Sequence, residues 1–168
     1  MRVILETSRL VLRELAEDDA SDVYRMNSNP NVMRYLGGEA LLVSPEQALA
    51  IFRTRIFPAY AAHGMDRWAV VLRETNSLVG LCGLRYLPRT NEYDLGYRFM
   101  ESHWGKGYAT ECAGAVLAWG RERMPGARII GRSFLENTAS IRILEKIGMR
   151  FEGNQPYEDG TVAVYVGG

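Results

Sequence analysis

Long apolar runs are missing from this sequence. No uninterrupted span is long enough to cross a bilayer, and the opening Met1-Arg2-Val3-Ile4-Leu5-Glu6 meets charge too early for a secretory signal. The expectation is a cytoplasmic protein with no membrane partner. Cysteine and histidine are scarce, two of each. Cys82 and Cys112 stand in no CxxC or other metal-ligand spacing, and His63 and His103 lack a second ligand group at a recognisable interval. The sequence therefore predicts two reduced core thiols and no metal. Charge of one sign is absent too: 20 Lys+Arg balance 20 Asp+Glu with no long run of either, so the footprint of a direct nucleic-acid binder is missing. No repeat, low-complexity tract or linker divides the 168 residues, 47% of them hydrophobic. A chain of this size buries roughly 70% of its unfolded surface, and residues 1–168 are read as one domain.

The hydrophobic pattern alternates between strand and helix periods. Arg9–Leu15 reads as a first strand, followed by a helix from the acidic Glu17-Asp18-Asp19 through about Asn27 and a break at Asn29-Pro30-Asn31. Ser44-Pro45-Glu46-Gln47 carries a capping-box signature for a helix running toward Ala61. Trp68–Leu72 and Leu78–Leu84 flank a polar turn as a hairpin, and Tyr93–Phe99 is the next strand. Tyr108–Trp119 is helical and Ala127–Ser133 returns as a strand. Such a crossover makes its two strands parallel and adjacent, with a ligand at their C-terminal ends. Asn137 is an N-cap for a helix through Lys146 that Gly148 ends. Met149–Phe151 and Thr161–Tyr165 close the chain as strands around Glu158-Asp159-Gly160.

The junction after Phe99 contains Trp104-Gly105-Lys106-Gly107-Tyr108-Ala109-Thr110-Glu111. Free amides at a helix start and the helix dipole favour an anion there, and Gly105 and Gly107 let main chain approach a ligand closely. A turn that needs glycine for geometry alone fits the same residues. Two known phosphate loops do not match. A P-loop needs Ser or Thr where Gly107 stands and glycine where Met100 stands; a dinucleotide loop needs a third glycine where Thr110 stands, at the first strand.

Four segments occur in order: Thr7-Ser8-Arg9-Leu10-Val11-Leu12-Arg13, Leu95-Gly96-Tyr97, the glycine loop, and Asn137-Thr138-Ala139-Ser140-Ile141-Arg142-Ile143-Leu144-Glu145-Lys146-Ile147-Gly148-Met149. Together they resemble the GNAT superfamily of N-acetyltransferases, in particular its RimJ/RimL type, which includes ribosomal-protein N-terminal acetyltransferases. The resemblance spans nearly the whole chain. It implies an α/β (α+β) fold of the GNAT acyl-CoA acyltransferase type, with a central mixed, mostly antiparallel sheet, helices on both faces and a splayed parallel strand pair holding the cofactor. It implies acetyl-CoA as cosubstrate and direct acetyl transfer to an amine. The superfamily loop reads Gln or Arg, two residues, Gly, one residue, then Gly or Ala. Gly107 and Ala109 fill the small positions, while Trp104 stands where Arg or Gln is usual. The diphosphate is therefore expected on the backbone of Trp104, Gly105, Lys106, Gly107, Tyr108, Ala109 and Thr110, with the Lys106 side chain either at its rim or simply exposed.

By the same resemblance Phe99 and Met100 border the pantetheine by main chain, and a strand N–H can donate to the thioester oxygen as charge develops on it. Asn137 matches a position whose side chain contacts the pantetheine arm, in competition with its N-cap role. Ser140, one turn on and on the same face, is the candidate donor to the leaving thiolate, against a hydroxyl bonded to backbone. Tyr97 and Tyr108 are its rivals. Asp94 matches a position often held by Glu and is the candidate base through water, against a strand carboxylate paired with an arginine; Glu92 and Glu136 are secondary candidates. The leading acceptor is a protein N-terminal α-amine, which with a pKa near 7.8 is roughly one-tenth neutral at pH 7, against about one in a few thousand for lysine. A small amine such as a polyamine, amino acid or drug is the alternative. An acetyl-CoA-binding regulatory module without turnover is the alternative of another class. Met33–Gly38 and the helix after Ser44 are expected to shape the acceptor groove. The family often dimerises, and a homodimer is the assembly the resemblance allows.

Overall fold

Runs of Val, Leu and Ile at period two supply the strands of one sheet, and the structure, a computed structural model, describes residues 2–36, 41–158 and 160–167. In chain order the elements are β1 (Val3–Glu6), β2 (Leu10–Arg13), α1 (Ala20–Asn27), α2 (Pro30–Met33), α3 (Pro45–Ile51), α4 (Phe57–His63), β3 (Arg67–Leu72), β4 (Leu78–Leu87), β5 (Glu92–Phe99), α5 (Tyr108–Arg123), β6 (Ile129–Phe134), α6 (Thr138–Lys146), β7 (Arg150–Tyr157) and β8 (Gly160–Gly167). The strands lie in the order β1-β2-β3-β4-β5-β6-β8-β7. Neighbours are antiparallel except β5 and β6, which makes the sheet mixed and mostly antiparallel, as expected.

The strand period divides the core in two. Trp68, Val70, Cys82, Leu84 and Phe99 face α5 and α6, where they meet Cys112, Val116 and Leu144. Ala69, Val71 and Leu81 face the other way and pack on Val23, Ala48, Phe52 and Ile56. Each large side chain so buried contributes roughly 1.5–3 kcal/mol. Helices thus cover both faces of the central strands.

Four local features differ from the sequence expectations. Val3–Glu6 forms its own strand against β2, and the Asn29-Pro30-Asn31 break is the start of a short helix, because Asn29 accepts from the Asn31 N–H at 2.9 Å and Pro30 suits the first turn. Ser44 occupies the N-cap of α3, but the capping box is not made. Its side chain makes no cap hydrogen bond, and Gln47 Oε1 accepts instead from the Val43 N–H at 3.0 Å. The helix expected to run on to Ala61 widens into a π turn at Phe52–Ile56. Pro58 has no N–H for the Thr54 carbonyl, and the Phe57 N–H reaches back five residues to Phe52.

The functional consequence of the topology lies between β5 and β6. They pair only at Tyr93 with Ile129 and Asp94 with Ile130. Beyond that point β5 follows β4 to Phe99 while β6 follows β8 to Phe134. A wedge opens through the sheet between Leu95–Phe99 and Gly131–Phe134.

Candidate active site

Strand geometry decides which main-chain groups face the wedge. Tyr93 donates to the Arg128 carbonyl on the β6 side and Met100 to the Val79 carbonyl on the β4 side, both at 2.9 Å. Main-chain direction alternates along a strand, so Leu95, Tyr97 and Phe99 turn theirs toward the wedge. Beyond Asp94 no β6 residue pairs with Tyr97 or Phe99. Of the expected border, Phe99 and Met100, Phe99 turns to the wedge together with Tyr97, while the Leu95 N–H still belongs to the parallel ladder that ends at the Asp94–Ile130 pair. Met100 is turned away: its N–H goes to Val79 and its carbonyl accepts from the His103 N–H at 2.9 Å. The Phe99 carbonyl accepts from Trp104 Nε1 at 2.8 Å. Trp104, with half of its surface exposed, is thereby a tie between β5 and the glycine loop.

The loop fits an anion by geometry. Gly105 and Gly107 have φ of +73° and +80°, in the left-handed region, and Gly107 is the residue from which α5 starts. A Cβ at Gly105 would meet nothing within 4 Å, so the outer side of the turn is open. The first intrahelical bond is Glu111 N–H to the Gly107 carbonyl at 3.1 Å, which leaves the amides of Tyr108, Ala109 and Thr110 without an intrahelical partner. Lys106 is exposed beside them.

A brace that the sequence reading missed holds this loop. Glu111 Oε1 accepts from Thr7 Oγ1 at 2.6 Å, Ser8 Oγ at 3.1 Å and the Arg9 N–H at 3.0 Å, while Oε2 accepts from Arg9 Nε at 2.7 Å. Arg9 also donates to the Lys106 carbonyl at 3.0 Å and lies 4.6 Å from the centre of the Tyr108 ring. Burial pushes the Glu111 carboxyl up, but the bonds from Thr7, Arg9 and Ser8 outweigh it and hold the group below its ordinary value. The Thr7-Ser8-Arg9 segment already marked the resemblance; its partner, 102 positions from Arg9, carried no local signal.

Across the wedge, Tyr97 on β5 and Ser140 on α6 meet. Their hydroxyls lie 2.9 Å apart, and the phenol also reaches the Ser140 carbonyl at 3.1 Å. Burial pushes the Tyr97 phenol well above its ordinary value, against the opposing pull of the Ser140 bond, so it stays protonated at neutral pH. Asn137 caps α6 through Oδ1, which accepts from the Ser140 N–H at 3.2 Å. Contact with a ligand would then fall to its Nδ2. Tyr108 lies under Arg9 and packs on the core.

Asp94 opens onto the opposite face of the sheet. Its Oδ2 accepts from Arg67 Nη2 at 2.6 Å and its Oδ1 from Arg132 Nε at 3.3 Å. Arg67 is buried, and its guanidinium also donates to the Gly83 and Asp94 carbonyls, both at 2.7 Å. Glycine at 96 makes room for it, since a Cβ there would lie 2.2 Å from Arg67 Nη2. Glu92 is bonded to Arg128 at 2.8 Å near the start of β5, and Glu136 is exposed. The cleft that reaches Ser140, Asn137 and Asp94 holds about 290 Å³ and includes Tyr35 and Leu36 in its wall. A second cavity of about 480 Å³ adjoins it, sharing Arg67, Leu81, Arg85 and Arg98, and is closed by Met33 and by Gln47, Ala48 and Ile51 of α3. Met33, Tyr35 and Leu36 and the helix after Ser44 therefore line these cavities, with Gly37 and Gly38 outside the described residues.

The sequence from residue 9 to residue 150 matches the model of a family described as acetyltransferase (GNAT) domain. The chain is 34% identical over 162 residues to an uncharacterized N-acetyltransferase, YoaA, of Bacillus subtilis (strain 168), covering 94% of this chain and 90% of that protein. It superposes with a TM-score of 0.80 on a GNAT-family acetyltransferase from Bacillus anthracis, at 29% identity and covering 96% of this chain and 95% of that one. RimL, a ribosomal L7/L12 α-N-protein acetyltransferase in complex with coenzyme A, superposes with a TM-score of 0.83 at 17% identity, covering 98% and 97%.

Proposed function

The chain belongs to the GNAT acetyltransferase family and is an N-acetyltransferase; on that premise we propose that it acetylates an α-amine, at a polypeptide N-terminus in the manner of the RimJ/RimL branch. GNAT acetyltransferases use acetyl-CoA, which supplies an activated thioester when bound. The residues here fit it. The open edge at Tyr97 and Phe99 matches the amides of a pantetheine arm, and the braced turn at Gly105 and Gly107 matches a diphosphate.

The observation that carries the reading is the hydroxyl pair spanning the wedge. Ser140 Oγ is the proposed donor to the departing sulfur and recovers a proton by way of the Tyr97 hydroxyl from the amine as it becomes an amide, so that neither hydroxyl ends with a net charge. A thiol of pKa about 8.5 leaves readily with one such donor. N–H groups of β5 that face the wedge are the proposed donors to the carbonyl oxygen of the transferred acetyl group. Asp94 is read as the carboxylate that fixes Arg67 and Arg132, because each of its oxygens already accepts from a guanidinium. With Asp94 held in its ion pairs, an acceptor that is already partly neutral is favoured, which supports an α-amine over lysine. Small α-amines form a second reading, supported by the adjoining cavity of about 480 Å³, within the range of small-molecule pockets.

Incubation with acetyl-CoA, a peptide library and free amino acids, followed by mass spectrometry of the modified position, tests the proposal. Acetyl groups at α-amines are expected. Modification confined to lysine side chains or to polyamines would contradict it.

A further inference from the structure

A short helix that carries part of a site needs an anchor. α2 is four residues long, too short to keep its shape alone, and it buries Val32 and Met33. Met33 lines the cavity of about 480 Å³, and Tyr35 and Leu36, just beyond the helix, line the cleft that reaches Ser140. Where α2 sits therefore sets the acceptor side of the site.

The head of α2 is tied to the exit of β5. Asn29, the N-cap, spends Oδ1 on the Asn31 N–H at 2.9 Å, which leaves its Nδ2 to donate to Glu101 Oε2 at 2.8 Å. Asn31 Nδ2 donates to Glu101 Oε1 at 2.9 Å. Each carboxylate oxygen thus takes one amide from the helix head, and bonds to a charged acceptor are the stronger kind. Glu101 follows Met100 and opens the turn Glu101–His103. That turn is fixed from the donor side. The Met100 N–H goes to the Val79 carbonyl and the Met100 carbonyl accepts from His103, both at 2.9 Å, while the Phe99 carbonyl accepts from Trp104 Nε1 at 2.8 Å. One carboxylate therefore joins the acceptor wall to the strand and loop read as the seat of acetyl-CoA.

We propose that Glu101 is a positioning residue for the acceptor: acting through α2, it holds Met33, Tyr35 and Leu36 at a set distance from the wedge. The inference rests on the acetyltransferase reading and deepens it on the acceptor side. Reacting atoms must approach to about 3–3.5 Å. A wall that drifts loosens the hold on the amine, while the thioester stays where the β5 edge and the glycine loop put it. The effect of losing the tie therefore falls on the amine and spares acetyl-CoA.

A swap of partners tests the tie. Asn31→Asp sets carboxylate against carboxylate, and Glu101→Ala removes both bonds. Asn31→Asp combined with Glu101→Gln restores both with one reversed: the new NH2 donates to the new carboxylate, and the amide oxygen still accepts from Asn29. Asn31 and Glu101 are exposed, so the fold should survive each change. Steady-state kinetics are measured with the α-amine peptide that the parent protein turns over best. Each single variant should raise the acceptor KM by roughly threefold to tenfold while kcat and the KM for acetyl-CoA stay within about twofold, and the double variant should return the acceptor KM close to the parent value. Amide hydrogen exchange over residues 31–36 should be faster in the single variants and restored in the double one. An unchanged acceptor KM, unchanged exchange, or a double variant no better than Asn31→Asp overturns the positioning role and leaves the transferase intact. A KM for acetyl-CoA that rises in step with that of the amine also overturns it, because the damage then lies in the β5 exit itself. A parent protein that turns over no amine sinks the transferase reading, and the acceptor role with it.

Discussion

Glu111→Gln isolates the brace under the glycine loop. The native carboxylate receives Thr7, Ser8 and the Arg9 main chain on one oxygen and Arg9 Nε on the other. Glutamine keeps one acceptor oxygen for the first three but presents an NH2 to Arg9, a donor facing a donor. Hydrogen bonds to a charged group are worth roughly 1.5–3 kcal/mol and neutral ones about half that. The ion pair itself adds less than about 1 kcal/mol, because the Arg9 side chain is 47% exposed and screened. A net loss of about 2 kcal/mol follows, or roughly 4–8 °C in melting temperature for a chain of this length. The Glu111 carboxyl is held below its ordinary value in the fold, so its contribution is present above about pH 4.3 and is lost as pH falls through the folded value. Thermal melts of both proteins from neutral to acid pH should therefore show a gap that closes on acidification. Coenzyme A affinity should fall several-fold with it. A gap that persists unchanged in acid, or equal melting at pH 7, would refute the electrostatic account, and undiminished coenzyme A affinity would show that the brace does not hold the site.

Gly107→Val forces a branched side chain into a left-handed position at a cost of roughly 1–2 kcal/mol and sets its Cβ 3.4 Å from Arg9 Nη2, disturbing the turn and the brace beneath the α5 amides, so coenzyme A binding should weaken; unchanged affinity in a titration would remove the loop from the site. Tyr97→Phe and Ser140→Ala should each lower kcat by about tenfold to a hundredfold with little change in KM for acetyl-CoA, and the double variant should be little worse than either, as expected of one proton relay. Full turnover by either single variant, under conditions where chemistry limits the rate, would make the pair structural. Asp94→Asn should lower the melting temperature by weakening the hold on buried Arg67, at a cost of roughly 1–3 kcal/mol, while the pH-rate profile keeps its shape. A lost acidic limb would identify Asp94 as the base after all.

Much of the site was legible because it is local. The crossover from Tyr93 to Ser133, the glycine junction and the Asn137 cap each fall within a short window in which period, glycine and capping residues report directly on backbone shape. What escaped was assembled across the fold. The wedge depends on β6 staying with β8 while it parts from β5 after Ile130, a pairing preference that no single strand carries. Thr7, Ser8 and Arg9 find Glu111 only once β2 lies beside α5. Arg67, Arg85, Arg98 and Arg132 come from β3, β4, β5 and β6, and the paired glycines 83 and 96 that make room for Arg67 are visible only when the two strands are in register. Asp94 was legible as a charged strand residue with two possible roles, and its pairing with Arg67 and Arg132 could not be read from the strand alone.

The central claim, acetyl transfer through the wedge between β5 and β6, is tested most directly by following free thiol released from acetyl-CoA alongside the acetylated product for a panel of α-amines. The account predicts one thiol for each acetylated α-amine, with the rate sharply reduced in Tyr97→Phe. Coenzyme A binding without thiol release beyond the amine-free background would contradict it.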